Sequence, residues 1–188
     1  MISDLTEFQE DALKEVGNIA SGNASKALYN LIGEKIDLKI PDVELVSVKK
    51  FQEKVGHAER ITSIIYSEIF GDIRGCLLIV LLGDVLEKKD LRIKNQEELL
   101  KIGGTFSTLY RAAINEFLDI ETIQSDPILI YTVRKPIYDF IYIKKGEVLM
   151  IKTNFSIPSI GVNGNFSLLL SSKSAEVLVK KIEKKLLL

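Results

Sequence analysis

The sequence predicts an α+β fold, and three observations lead to this prediction. Two long stretches, about residues 4–31 and 95–118, have the apolar spacing of amphipathic helices. Short runs rich in aliphatic and β-branched residues follow each stretch. The chain also matches itself when it is shifted by 86 positions. We therefore expect a single domain, residues 1–188, made of two related halves, about 1–90 and 91–188.

The first long helix is expected to begin near Ser3 or Asp4, either of which can cap it, and to end before Gly33. Positions three or four residues apart share one face of a helix. By this spacing, the inward face consists of Leu13, Val16, Ala20, Ala24, Ala27 and Leu31. The outward face consists of Asp11, Glu15, Asn18, Gly22 and Ser25. A polar stripe with little bulk at one end should therefore face solvent.

Strand-like runs fill most of the remaining chain. The predicted strands are Ile36–Ile40, Val43–Val48, Ile61–Ile69, Ile73–Leu82, Ile128–Val133, Phe140–Lys144, Val148–Asn154 and Phe166–Leu170. Pro41 indicates a strand end, an edge or a bulge, because proline lacks the N–H that a central strand donates. The run Ile73–Leu82 is expected to be buried on both faces. A short helix is predicted at Gly83–Lys89, and a helix at Ser174–Leu187 closes the chain.

The shift of 86 positions aligns identical residues of the two halves. These are Leu13 with Leu99, Gly17 with Gly103, Ser21 with Ser107, Ala27 with Ala113, and Pro41 with Pro127. The outward stripes differ, since the second half has Glu97, Lys101 and Gly104 where the first has Asp11, Glu15 and Asn18. Whatever chemistry the first stripe performs, the second cannot perform it in the same way.

Composition excludes several functional classes. The 25 basic and 26 acidic side chains leave a net charge of -1, which gives no long-range field suited to nucleic acid or to an anionic membrane. The N-terminus lacks the pattern of a signal peptide, and no apolar run approaches the roughly 20 residues that span a bilayer. We expect a cytoplasmic protein without nucleic-acid or membrane partners.

Neither the single cysteine nor the single histidine indicates a reactive site. Cys76 lies in an apolar run, where a buried and inert thiol is expected. His57 is expected to be a solvated loop residue, and one histidine with one cysteine makes a zinc site or a Ser-His triad improbable. The polar stripe is then the strongest candidate site, although three polar residues alone would suit the solvated face of any amphipathic helix.

The spacing Asp11-x3-Glu15-x2-Asn18-x22-Pro41 favours a functional site over an ordinary solvated helix face. It resembles the signature of the CheC/CheX/FliY family of chemotaxis phosphatases, which hydrolyse the aspartyl phosphate of the response regulator CheY. All four signature positions match. The segment from Gly71 to Gly75 also resembles the corresponding segment of that family.

The resemblance implies a pseudo-twofold CheC-like fold, with two long helices packed on one side of a largely antiparallel sheet. It implies that Glu15 contacts a lysine of the phosphorylated CheY-type regulator and that Asn18 orients the attacking water. Asp11, Gly22 and Pro41 are then supporting positions. The protein would need no cofactor or metal of its own, because the regulator would bind the Mg²⁺.

The second half departs from the two-site pattern of the family. Glu97, Lys101 and Gly104 form a degenerate site that retains only Pro127 of the signature, so we interpret it as structural or as a docking surface. Lys101 suits either an acidic partner or plain solvation. The alternative to a phosphatase is a non-catalytic adaptor or a flagellar-switch-like module that docks the regulator or the deamidase CheD.

Overall fold

Two layers make up the part of the chain that the structure describes. A computed structural model describes residues 4–51, 62–82, 95–132 and 146–186. Within these ranges, an antiparallel sheet of eight strands carries two long helices on one side, and a third helix packs beside them. The α+β fold predicted from the sequence is therefore confirmed.

The elements have the following bounds. The helices are α1 (Glu7–Ile32), α2 (Gln96–Leu118) and α3 (Ser172–Leu186). The strands are β1 (Asp37–Leu38), β2 (Asp42–Ser47), β3 (Thr62–Gly71), β4 (Gly75–Leu82), β5 (Thr122–Gln124), β6 (Ile128–Thr132), β7 (Glu147–Ile157) and β8 (Val162–Ser171). A 3₁₀ turn, Pro158–Ile160, joins β7 to β8, and residues 48–51 are helical after β2.

The start of α1 differs from the prediction, because Thr6 is the N-cap rather than Ser3 or Asp4. The Thr6 hydroxyl accepts a hydrogen bond from the Gln9 N–H at 3.3 Å, and the Gln9 side chain accepts one from the Thr6 N–H at 2.9 Å. This reciprocal capping box satisfies two N–H groups at once. At the other end, Gly33 ends the helix with φ of 74°, as predicted.

The prediction of which residues form the inward face of α1 is also partly wrong, in the last turns of the helix. Leu31 is 47% exposed, whereas Leu28 and Ile32 are buried. Ser25, predicted to face outward, is buried and donates a hydrogen bond to the Ser21 carbonyl at 2.6 Å. The buried face turns around the helix because α1 contacts α2 and α3 as well as the sheet, so one straight stripe does not describe it.

The sheet pairs strands that are far apart in sequence. Its order is β1-β7-β8-β4-β3-β5, with β2 also paired to β7 and β6 also paired to β3. Val43 pairs with Ile151, and the positions that match them at the interval of 86, Leu129 and Ile65, pair in the same way. Strand pairing therefore repeats at the interval found in the sequence. The division of residues 1–188 into one domain of two related halves stays a prediction.

Each long helix packs on a strand from the other half of the chain. A Cβ atom at Gly17 of α1 would lie 2.8 Å from Cγ2 of Ile151 in β7, and one at Gly103 of α2 would collide with Ile65 in β3. The outward stripe of α1 is therefore held in place by β7. A first half without residues 147–157 would lack the strand that supports the stripe.

Both faces of the sheet are buried around its centre. The predicted burial of the apolar run that contains β4 is confirmed from Gly75 to Leu81. Cys76 is a fully buried free thiol, and its burial together with the charge of Glu68 raises its pKa. This thiol is not a nucleophile at neutral pH.

Three predictions concern residues that the structure does not describe, and one strand was not predicted. The loop around His57, the short helix at Gly83–Lys89 and the strand at Phe140–Lys144 lie outside the described residues. The three-residue strand β5 was not predicted. In the described residues, no helix combines the length and the apolar character needed to cross a membrane.

Candidate functional site

The polar stripe lies on the solvent side of α1. Asp11, Glu15 and Asn18 are all exposed, and their spacing of four and three residues aligns them on one helix face. Gly22 continues this face, and a Cβ atom added there would meet no atom within 4 Å. The two candidate side chains, Glu15 and Asn18, are therefore followed by open helix backbone.

The side chains of Glu15 and Asn18 are available to a partner. Neither makes a hydrogen bond or an ion pair with any residue that the structure describes. Lys14 instead pairs with Glu10 at 2.7 Å and with Asp11 at 3.5 Å, and the hydrogen bond to Glu10 is the main cause of its raised pKa. Asp11 therefore shares the Lys14 ammonium with Glu10. The i,i+4 and i,i+3 spacings of these acids to Lys14 were the sequence signal for the network.

Pro41 supports the stripe from beneath. It is buried in the connection between β1 and β2, and a Cβ atom at Gly17 would lie 3.0 Å from its Cγ. Gly17 stands between Glu15 and Asn18 in sequence. The glycine lets the proline ring and Ile151 approach the helix axis, which sets the depth at which Asn18 is presented.

A buried hydrogen bond fixes α1 on β7 one turn further along. The Ser21 hydroxyl donates to the Gly17 carbonyl at 2.7 Å and lies 3.0 Å from the Thr153 hydroxyl. Polar groups buried in this way are stabilising only when they are paired. The pair resists rotation of α1 about its axis, and rotation would change where Glu15 and Asn18 point.

The second half differs from the first in its backbone packing as well as in its side chains. Glu97 and Lys101 are exposed on α2. Pro127 contacts α2 at Gly104, where a Cβ atom would lie 3.0 Å from its Cγ. Gly104 is the position that matches Asn18, so the proline crowds the place where an amide would stand. The second surface therefore lacks the amide, and a side chain at Gly104 would contact Pro127 closely.

Gly17 and Gly22 provide a matched pair of substitutions. Gly17→Ala is expected to lower the free energy of unfolding by about 1–3 kcal/mol, because its Cβ atom would overpack Ile151 and Pro41. Gly22→Ala is expected to raise it by about 0.5–1 kcal/mol, because alanine favours the helix and meets open space. Urea denaturation of both variants and the unchanged protein measures the difference. Equal effects of the two substitutions would contradict the packing described for Gly17.

Comparisons with known proteins identify the family. The chain matches the CheC-like family over residues 8–45, the segment that contains the whole stripe and Pro41. It is 30% identical over 142 residues to the CheY-P phosphatase CheC of Bacillus subtilis (strain 168), and the match covers 68% of each chain. The chain therefore belongs to the CheC-like family.

Solved structures support the same fold. FliY from Thermotoga maritima superposes with a TM-score of 0.74 at 16% identity, covering 98% of this chain and 100% of that one. FliM in the FliM-SpeE complex from H. pylori gives a TM-score of 0.71 at 11% identity, with 98% and 100% coverage. At these identities the similarity shows the fold alone. FliY and the FliM-SpeE complex thus contain the same fold as this chain.

Proposed function

We propose that this protein is a phosphatase that hydrolyses the aspartyl phosphate of a CheY-type response regulator. The observation that carries the proposal is the pair Glu15 and Asn18, exposed on one face of α1 with side chains that bond to no described residue. The relative named CheY-P phosphatase CheC supports the same substrate. One acid/amide site, on α1, would perform the reaction.

The chemistry asks for a positioned water more than for a covalent catalyst. Hydrolysis forms a bond from the water oxygen to phosphorus and breaks the bond from phosphorus to the aspartyl oxygen, releasing phosphate and the free carboxylate. The Asn18 carboxamide both donates and accepts hydrogen bonds, so it can hold a water in line with that breaking bond. A carboxylate at the same position would repel the phosphoryl oxygens.

Glu15 fits a docking role beside the reacting atoms. Its carboxylate stands one helical turn from Asn18 and can pair with a lysine of the regulator through a charge-assisted hydrogen bond. That contact would set the register of the two proteins. The Mg²⁺ that neutralises phosphoryl charge would belong to the regulator, and this chain would contribute no metal ligand.

A second candidate is a binding module without turnover. The fold is compatible with it, because one solved structure that shares this fold is the FliM-SpeE complex from H. pylori, an assembly of two proteins. In that case the α1 stripe would dock the regulator and leave its phosphate intact. Docking of the deamidase CheD, which the family resemblance also names, stays a prediction.

The decay of a phosphorylated CheY-type regulator, with binding measured in parallel, separates the two candidates. The unchanged protein is expected to accelerate the decay. Glu15→Gln is expected to weaken binding about tenfold or more, because a hydrogen bond between charged groups contributes roughly 1.5–3 kcal/mol. Glu116→Gln, which alters an exposed acid on α2, is the matched control and should change nothing. Binding without faster decay would support the binding module and refute the phosphatase.

A further inference from the structure

An exposed isoleucine stands beside the stripe. Ile40 is 75% exposed, the largest value among the exposed large apolar side chains of the described residues. It directly precedes Pro41, whose ring contacts α1 at Gly17. Standard chain dimensions therefore place Ile40 within about 15 Å of Asn18. A typical protein interface of about 800 Å² per partner is roughly 30 Å across, which is wide enough to include both Asn18 and Ile40.

The second half differs at the two positions that match Ile40 and Gly22. The position that matches Ile40 is Asp126, which is exposed and charged. The position that matches Gly22 is Thr108, whose hydroxyl accepts a hydrogen bond from the Gln124 side chain at 3.1 Å. The apolar side chain and the open backbone therefore occur in the same half as the acid/amide pair. At the matching positions, the half without that pair has a carboxylate and a hydroxyl, and its exposed isoleucines, Ile123 and Ile128, lie at other positions.

We infer that Ile40 and the open backbone at Gly22 form a docking surface for the phosphorylated response regulator next to Asn18. The inference rests on the proposed function. The regulator would present a cation to the acidic part of the stripe, at Glu15, and an apolar side chain to Ile40. A charged contact at Glu15 and an apolar contact at Ile40 would together fix how the phosphate approaches the Asn18 amide.

The physical argument is that isolated, exposed apolar side chains contribute to binding when a partner removes them from water. Ile40 makes this contribution before and after hydrolysis alike, so it should affect affinity and leave the chemical step unchanged. Substitution of Asn18 should instead slow the chemical step and leave the affinity unchanged. Ile40 is a specificity-determining position for the partner and not a catalytic residue.

The test is steady-state dephosphorylation of a CheY-type regulator carrying aspartyl phosphate, with Ile40→Ala and Ile40→Asp. Ile40→Asp introduces the residue found at position 126. It is expected to raise KM about tenfold or more, which corresponds to about 1.4 kcal/mol, with kcat changed less than twofold. Ile40→Ala should have a smaller effect in the same direction. Binding of the regulator in its beryllofluoride and Mg²⁺ form should weaken in parallel, without turnover.

Ile123→Asp is the matched control, because Ile123 is 68% exposed in the other half. It should leave KM and binding unchanged. Unchanged KM and binding in Ile40→Asp, or a fall in kcat alone, overturns the inference while the phosphatase function stands. An unchanged protein that binds the regulator without dephosphorylating it refutes the phosphatase, and weaker binding by Ile40→Asp then still supports the docking surface. Thermal melting should show no loss of fold, because Ile40 is exposed.

Discussion

Asn18→Ala is expected to lower the rate of regulator dephosphorylation by at least about 100-fold, the cost of a misplaced reactant in a positioned reaction. The carboxamide is the group proposed to hold the water, and no other described side chain bonds to it. Asn18 is exposed in a helix interior, where alanine is the better helix former. The variant should therefore be as stable as the unchanged protein or slightly more stable, and the loss of rate would not come from unfolding.

Asn18→Asp sharpens the same test. It keeps the size of the side chain but replaces an N–H donor with negative charge, so it should be as inactive as Asn18→Ala at neutral pH. Asn30→Ala is the matched control, since Asn30 is exposed near the end of the same helix. It should retain the full rate. Decay as fast with Asn18→Ala as with the unchanged protein would exclude Asn18 as the residue that positions water.

The sequence predicted the helices and the exposed stripe because both depend on local geometry. A helix of 26 residues repeats its faces every three to four positions, so Asp11, Glu15 and Asn18 had to share one side. The strand runs were recognisable for the same reason, since side chains alternate within each strand. The observed bounds differ from the predicted ones by a few residues where a capping residue, such as Thr6, satisfied backbone groups better than its neighbours did.

The contacts that hold the site in place were not predictable, because they join distant segments, although the family resemblance had named Pro41 as a supporting position. Nothing local in α1 indicates that Gly17 packs on Ile151 or that Ser21 meets Thr153. The wide buried face that includes Ser25 arises from α2 and α3 packing beside the helix. The exposure of Ile40 was not predictable either, since an isoleucine in a strand-like run would normally be expected in the core.

The two halves also differ in how a proline packs near Asn18 and at the matching Gly104. A missing side chain could be restored by one substitution, but a Cβ atom at Gly104 would press on Pro127. In α2, the residue that contacts the proline is Gly104, which matches Asn18. In α1, the residue that contacts the proline is Gly17, which precedes Asn18. A side chain at Gly104 would therefore require Pro127 to give by a few tenths of an ångström.

Gly75→Ala is expected to reduce the free energy of unfolding by about 3 kcal/mol, at the upper end of overpacking effects. Its Cβ atom would overlap the Leu169 carbonyl oxygen and lie 2.8 Å from Cδ2 of Leu170. The overlap is with backbone, and β4 is paired on both sides, with β3 and β8. Neither strand can move away without disturbing its other pairing. Urea denaturation, with Gly22→Ala as the control, measures the loss; unchanged stability would contradict the close approach of β4 and β8.

Gly164→Ala should have a comparable effect at the other end of the same strand pair. Its Cβ atom would overlap the Val80 carbonyl oxygen, and Gly164 pairs with Leu81, whereas Gly75 pairs with Leu170. The two glycines are about 20 Å apart along β4, far enough for their effects to add. The double variant would then lose about 6 kcal/mol, comparable with the whole stability of a small domain. Each single variant should keep a normal kcat well below its melting temperature, because α1 still rests on β7, and this separates loss of fold from loss of chemistry at Asn18.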